Sequence, residues 1–222
     1  MKLNIYPDDS WALQSSKIIF NKIYALSIKK NKISIILTGG RSAKKIYNFL
    51  KNDLKILNTQ IDFYISDERH VPITHDDSNY KLIFENLFNK KINNKFSLYN
   101  IYDPNIEIAK INYLNKLPKI IDILILGLGD DGHIASIFPN TKKVNFDEKI
   151  MITKSKHFKH TRITITENVI RKANNVFILA SGLSKQNVVN KILNGKFMNL
   201  PANIVINRTW LIDKTAFNLK KK

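Results

Sequence analysis

Short apolar runs rich in β-branched residues recur along the chain, at residues 33–37, 61–65, 121–126, 150–153, 163–165, 176–180 and 204–206. Runs of this length between polar flanks predict buried strands. Between them, apolar positions repeat near every 3.6 residues over 11–26, 43–50, 80–88, 106–117 and 185–193, which predicts amphipathic helices. Strand and helix alternate almost throughout. That order predicts an α/β fold, a mainly parallel sheet with helices on both faces. The Lys-rich stretch 141–161 is the least patterned and is expected to contain an extended surface loop. No repeat, linker or boundary interrupts the pattern, so residues 1–222 are expected to form a single domain.

Three of the apolar runs end in polar, glycine-rich turns, and strand ends of this kind are where α/β sheets bind ligands. The first run empties into Thr38, Gly39, Gly40, Arg41 and Ser42 ahead of a predicted helix. Glycines let the backbone approach an oxyanion, the helix start presents unpaired amides, and Thr38, Arg41 and Ser42 add donors. The segment suits a phosphate, although a tight turn with a Ser cap accounts for the same residues. It matches neither the dinucleotide fingerprint nor a Walker loop.

The second run leads into Asp67, Glu68, Arg69 and His70. Consecutive ionisable groups at a buried strand end require partners, either one another or a ligand. Asp67 could orient an imidazole or bind sugar hydroxyls, Arg69 could grip a phosphate or carboxylate with two parallel bonds, and Glu68 could sit in an internal ion pair. His70 and His75 read as solvated or turn-forming residues, and Asp77, Ser78 and Asn79 as a helix cap.

The third segment, 127–139, reads GLGDDGHIASIFP and is expected to bend and then open a helix. Gly127, Gly129 and Gly132 allow a bent backbone whose amides could form an oxyanion hole, and Asp130 or Asp131 could cap the turn or fix His133 in one tautomer. Imidazole titrates near neutral pH, so His133 is the candidate general base. Arg162, at a strand start, and Lys185, just inside a helix, are further cations that a phosphorylated substrate could use; as surface charges they need no ligand.

The net charge of +18 raises the question of nucleic acid, yet only five of the 36 basic residues are Arg (41, 69, 162, 171 and 208). The Lys residues are scattered among Asn and Ile, as expected when an AT-rich genome shifts codon use, and no basic stripe is interleaved with stacking aromatics. A nucleic-acid partner is not expected. No run reaches the ~18–20 apolar residues of a membrane span, and the first residues lack a signal peptide's apolar core, so a soluble, cytoplasmic protein is expected. With no cysteine, disulfides and thiolate metal sites are excluded.

Together these segments resemble the 6-phosphogluconolactonase family over nearly the whole chain. The matching pieces run in the family's order: LTGGRSA, SDERHVP with HDDSNY, GLGDDGHIASIFP, RITIT, then LASGLSKQ, LPANIV and the closing Trp210 and Asp213. The resemblance implies hydrolysis of 6-phospho-D-glucono-1,5-lactone in the oxidative pentose phosphate pathway, with no metal and no organic cofactor, on a Rossmann-like sheet. It implies His133 as general base and Asp67 as its catalytic companion. Thr38, Gly39, Gly40, Arg41, Ser42, Arg69, Gly129, Asp131, Arg162 and Lys185 are the implied substrate contacts. The expected partner is a phosphorylated sugar lactone, and the expected state a monomer or homodimer.

The chain departs from the family's commonest pattern at Arg41-Ser42-Ala43, where Ser-Thr-Pro is usual, at Ile65 in place of Trp, and at Glu167-Asn168 in place of Leu-Pro. The related glucosamine-6-phosphate deaminases generally continue after their histidine with Ile-Ala-Phe-Asn-Glu-Pro. Here Ile134 to Pro139 carry no glutamate, which favours the lactonase. A non-catalytic sugar-phosphate sensor would commonly carry a DNA-binding helix-turn-helix, and there is no room for one ahead of Ile33.

Overall fold

The computed structural model describes residues 1–88, 95–141, 145 and 147–217. Its strands are β1 (Lys2–Tyr6), β2 (Lys32–Leu37), β3 (Gln60–Ile65), β4 (Asp67–Arg69), β5 (Phe96–Leu98), β6 (Ile123–Gly127), β7 (Ile150–Thr153), β8 (Arg162–Ile165), β9 (Asn175–Ala180) and β10 (Thr209–Asp213). The α-helices are α1 (Trp11–Ser27), α2 (Arg41–Leu54), α3 (Asn79–Ile83), α4 (Ile106–Lys116), α5 (Glu167–Lys172), α6 (Gln186–Leu193) and α7 (Lys214–Phe217). Seven strands pair in the order β1-β10-β9-β6-β2-β3-β5, every neighbour parallel. The other three form a small antiparallel sheet, β4-β8-β7.

The central strands are buried on both faces, which is why β2, β3, β6 and β9 read as apolar runs and not as alternations. Helix α2 presents Ala43, Ile46, Tyr47, Leu50 and Leu54 to the core at helical spacing. From β2 the chain builds outward through β3 to β5, and from β6 it builds the other way through β9 and β10. The direction therefore reverses between β2 and β6. At such a reversal the connections leave on opposite sides and open a crevice beyond the strand ends.

Two buried tyrosines close the strand ends that border this crevice. Thr38 N–H donates to the Tyr47 hydroxyl at 3.1 Å, and that hydroxyl donates to Thr38 C=O at 2.7 Å. Tyr113 on α4 does the same for Ile65, accepting from its N–H at 2.7 Å and donating to its C=O at 2.6 Å. Each phenol supplies the pair of bonds that a further strand residue would have made, and burial holds both phenols far above their ordinary pKa.

Several expectations are corrected by the structure. Residues 150–153 and 163–165 are strands, but they belong to the small sheet and pair with β4 or each other, not with the parallel core. Residues 204–206 fall mostly in a 3-10 turn, Pro201–Val205, since Pro201 at its start pre-sets helical φ and donates no hydrogen bond. The strand there is β10, paired between β1 and β9, and β1, β5 and the short helix α5 were not predicted. No helix follows His133: Ala135 takes φ 49°, and Ile134 bridges to Leu128 and Ile137. The left-handed residue and Pro139 break a helical run. Within the predicted loop 141–161, residues 142–144 and 146 lie outside the described residues, and 150–153 is β7. Among the described residues no helix is long and apolar enough to cross a membrane.

Tyr47→Phe keeps the ring and strands two buried backbone groups. It is expected to lower the unfolding free energy by about 1–3 kcal/mol, seen as a lower urea midpoint with unchanged m value.

Candidate active site

The three polar segments meet at the crevice. Beyond β2, Gly40 takes φ 94° at the start of α2, and no side chain caps that helix. Gly39 has no space for a side chain, because a Cβ would lie 1.8 Å from Asn79 Oδ1. Thr38 Oγ1 lies 3.8 Å from where a side chain on Gly127 would begin, so the turns after β2 and β6 adjoin. Arg41 is exposed on the first turn of α2, next to half-buried Ser42.

The short strand β4 carries two carboxylates held by neutral donors. Asp67, 7% exposed, accepts from Ser66 Oγ at 2.7 Å and Ser136 Oγ at 2.6 Å. Its carbonyl accepts from Asn79 Nδ2 at 2.7 Å, which fastens β4 to the start of α3. Glu68, 2% exposed, is not in an ion pair among the described residues: it accepts from Ser78 Oγ and from the backbone N–H of Arg69, Asn79 and Tyr80. Burial nevertheless raises its carboxyl above the ordinary range, against the pull of those four bonds. Ser78 also caps α3 by accepting from Lys81 N–H.

Arg69 and Arg162 are direct partners across β4 and β8. One guanidinium nitrogen of Arg69 donates to Asp77 C=O, and Arg162 stacks over the Phe158 ring, 5.5 Å from its centre. In both, Nε is buried and without a hydrogen-bond partner. Burial, and then the neighbouring charge of Arg69, lower the Arg162 pKa. Two adjacent guanidiniums with unused donors form a concentrated positive site, the arrangement an oxyanion satisfies.

The turn after β6 presents His133. Gly129 N–H donates to His133 C=O at 2.8 Å, and Gly132, at φ 87°, donates to Gly129 C=O at 3.0 Å. The imidazole lies over Gly129, where a Cβ would be 2.1 Å from Nδ1. Nδ1 meets Asp131 Oδ1 at 2.6 Å, and the His133 N–H donates to the same oxygen at 3.0 Å. A carboxylate accepts, so Nδ1 carries the proton and Nε2 keeps its lone pair. Burial alone would raise the Asp131 carboxyl, but the bonds from His133 outweigh it and hold the group below the usual carboxylate range. The rings of Phe138 and Phe158 stand edge-on to the imidazole at 5.2 and 5.7 Å.

Two expectations change here. The amides of Gly129 and Gly132 are occupied inside the turn, so they do not offer an oxyanion hole. Lys185 pairs with Asp130, at the mouth of the same turn, instead of standing free. Among the carboxylates proposed to hold the imidazole, Asp131 takes that place. His70 Nε2 lies 2.9 Å from Asp103 C=O, and His75 accepts from Asp77 N–H in a surface turn. Ser66, Ser136 and Phe158 also build the site and were not singled out in the sequence, and Asn79 was read only as part of a helix cap. An apolar cleft of ≈ 500 Å³, lined by Ile137, Met151, Asn168, Leu200 and Ile204 among others, reaches none of the predicted site residues.

The chain belongs to the glucosamine-6-phosphate isomerase/6-phosphogluconolactonase family, whose sequence pattern matches residues 8–213. A 6-phosphogluconolactonase of Thermotoga maritima is 34% identical over 207 residues, covering 88% of this chain and 91% of its own. One from Helicobacter pylori is 32% identical over 183 residues, covering 78% of each. The crystal structure of 6-phosphogluconolactonase from Thermotoga maritima superposes with a TM-score of 0.81 at 30% identity, over 96% of this chain and 99% of that one.

Gly129→Ala would push a methyl into the imidazole, since its Cβ falls 2.1 Å from Nδ1. The His133–Asp131 hydrogen bond should break, with loss of the downfield imidazole N–H resonance in proton NMR. A retained resonance would contradict this packing.

Proposed function

We propose that this chain hydrolyses 6-phospho-D-glucono-1,5-lactone to 6-phospho-D-gluconate. The observation that carries the reading is an imidazole with Nδ1 anchored by Asp131, set on a turn that adjoins two guanidiniums whose Nε atoms are buried and unused. Family membership narrows the substrate class to sugar phosphates, and the relatives quoted above are lactonases.

His133 Nε2 takes a proton from water as the water oxygen bonds to the lactone carbonyl carbon. The tetrahedral oxyanion collapses, the bond from that carbon to the ring oxygen breaks, and the imidazolium returns its proton to the departing oxygen. Because the glycine amides are engaged, the oxyanion falls to a cation, with Arg69, Arg162 and Lys185 as the candidates. Asp131 holds the tautomer, which leaves Asp67 for the substrate side. Ser136 is no rival nucleophile: it is 2% exposed and its hydroxyl is bonded to Asp67.

The phosphate is assigned to the turn Thr38–Gly39–Gly40–Arg41–Ser42 together with the Arg69–Arg162 pair. Binding there positions the carbonyl, so attachment energy is converted into orientation. Deaminase chemistry would need the carboxylate that this family branch places after the histidine, and Ser136–Ile137–Phe138 supplies none.

The test follows freshly prepared lactone with and without enzyme, corrected for spontaneous hydrolysis, alongside ammonia release from glucosamine 6-phosphate. Wild-type acceleration of lactone loss with no ammonia is the expected result, and ammonia release overturns the reading. His133→Ala should lower turnover by at least ~100-fold, the order lost with a general base. Arg162→Gln should weaken competitive inhibition by inorganic phosphate about 10- to 100-fold, as expected for losing charge-assisted bonds of roughly 1.5–3 kcal/mol.

A further inference from the structure

Ser136 lies three residues beyond His133 and ties the base turn to all three strands of the small sheet. Its hydroxyl donates to Asp67 on β4 at 2.6 Å, its N–H donates to Thr164 Oγ1 on β8 at 3.1 Å, and its C=O accepts from Thr153 Oγ1 on β7 at 3.0 Å. The left-handed turn at Ala135, φ 49°, introduces this residue to the interior. Asp67 has no hydrogen bond to a cation among the described residues. Its two oxygens are instead fixed from opposite sides of the chain, by Ser66 within its own segment and by Ser136 from the base turn. The second of these is the link that spans two of the three converging segments through a side chain on each.

We propose that Ser136 is a positioning residue for lactone hydrolysis. It acts through Asp67, setting the orientation of that carboxylate and the spacing between the His133 turn and the strands that carry Arg69 and Arg162. The role rests on the lactonase reading above. A hydroxyl that merely filled space would matter for folding, whereas this one is expected to matter for the chemical step. Misplacement of a reacting group by about 1 Å can cost on the order of 100-fold in rate.

The test is a double-mutant cycle on the full-length protein with lactone as substrate. Ser136→Ala removes one hydrogen bond and leaves both main-chain bonds of residue 136 in place. It is expected to lower kcat about 10- to 100-fold, with KM and inhibition by inorganic phosphate unchanged within about twofold. In an Asp67→Asn background the same substitution should change kcat by less than about twofold, because the group it acts through is already altered. Ser136→Cys fills the same space with a weak donor, so it should be slow like Ser136→Ala and covers the case in which the smaller side chain fails to fold. Wild-type kcat in either folded variant, or losses that multiply in the double mutant, overturns the proposal while leaving the lactonase reading intact. A wild-type protein that does not accelerate lactone loss overturns both.

Discussion

The site depends on how two buried carboxylates are satisfied. Asp67 and Glu68 lead into Arg69 on β4, whose register partner on β8 is Arg162, so the simplest arrangement would be two internal ion pairs. Serine hydroxyls and backbone amides take the carboxylates instead, and the guanidiniums keep unused donors in a buried place. A buried donor without a hydrogen-bond partner is costly, and an anion would satisfy it. Neutral donors make this arrangement possible, since they hold the carboxylates in place and leave the two guanidinium Nε donors unengaged, while Asp67 and Glu68 act on Arg162 through space.

The parallel sheet supplies the mounting. Strands β2 and β6 are adjacent but lead to connections on opposite sides, which opens the crevice, and each ends in a turn whose glycines permit close approach. Tyr47 and Tyr113 take the backbone groups at the ends of β2 and β3, so the following residues leave the sheet in defined directions without unpaired amides behind them. Across the crevice the small sheet carries Asp67, Arg69 and Arg162. The turn that presents His133 is joined to it through Ser136, and Phe158 contacts both the imidazole and the Arg162 guanidinium.

What the sequence disclosed follows from the range of each interaction. Strands buried on both faces and helices with one apolar stripe announce themselves locally, and β2, β3, β6, β9, α1, α2 and α4 were legible for that reason. The short edge strands β1 and β5 carry no such run, and β10 was obscured by the apolar residues 204–206 next to it. Sheet membership was less legible still: IMIT and RITI have the composition of core strands, and only the long-range pairing of RITI with DER, and of IMIT with RITI, sends them to a second sheet. The residues with exposed chemical character, His133, Asp67, Arg69 and Arg162, stood out because ionisable groups at strand ends are unusual. Ser136 did not, because a small polar residue beside apolar ones gives no sign of which distant partner it will bond, and the capping pattern around Asn79 gave no sign of its bond to Asp67. The helix expected after His133 failed for a conformational reason, a left-handed alanine, that residue type does not advertise.

The distribution of the five arginines completes the argument. In a chain whose basic residues are overwhelmingly Lys, a cation needed only for charge can be met by a flexible ammonium, and the Lys–carboxylate pairs at Lys81–Asp76 and Lys110–Glu148 are of this kind. Four arginines instead use what an ammonium lacks, a planar group with several fixed donors. Arg171 reaches Glu167 through two nitrogens, Arg208 donates to Arg171 C=O, Arg69 donates to Asp77 C=O, and Arg162 sets its guanidinium carbon over the Phe158 ring. The last two are also the ones with a buried, unused Nε. Net charge therefore says little about where an anion could sit, whereas the two buried Nε donors without a partner give a local chemical reason for one beside the Arg69–Arg162 pair.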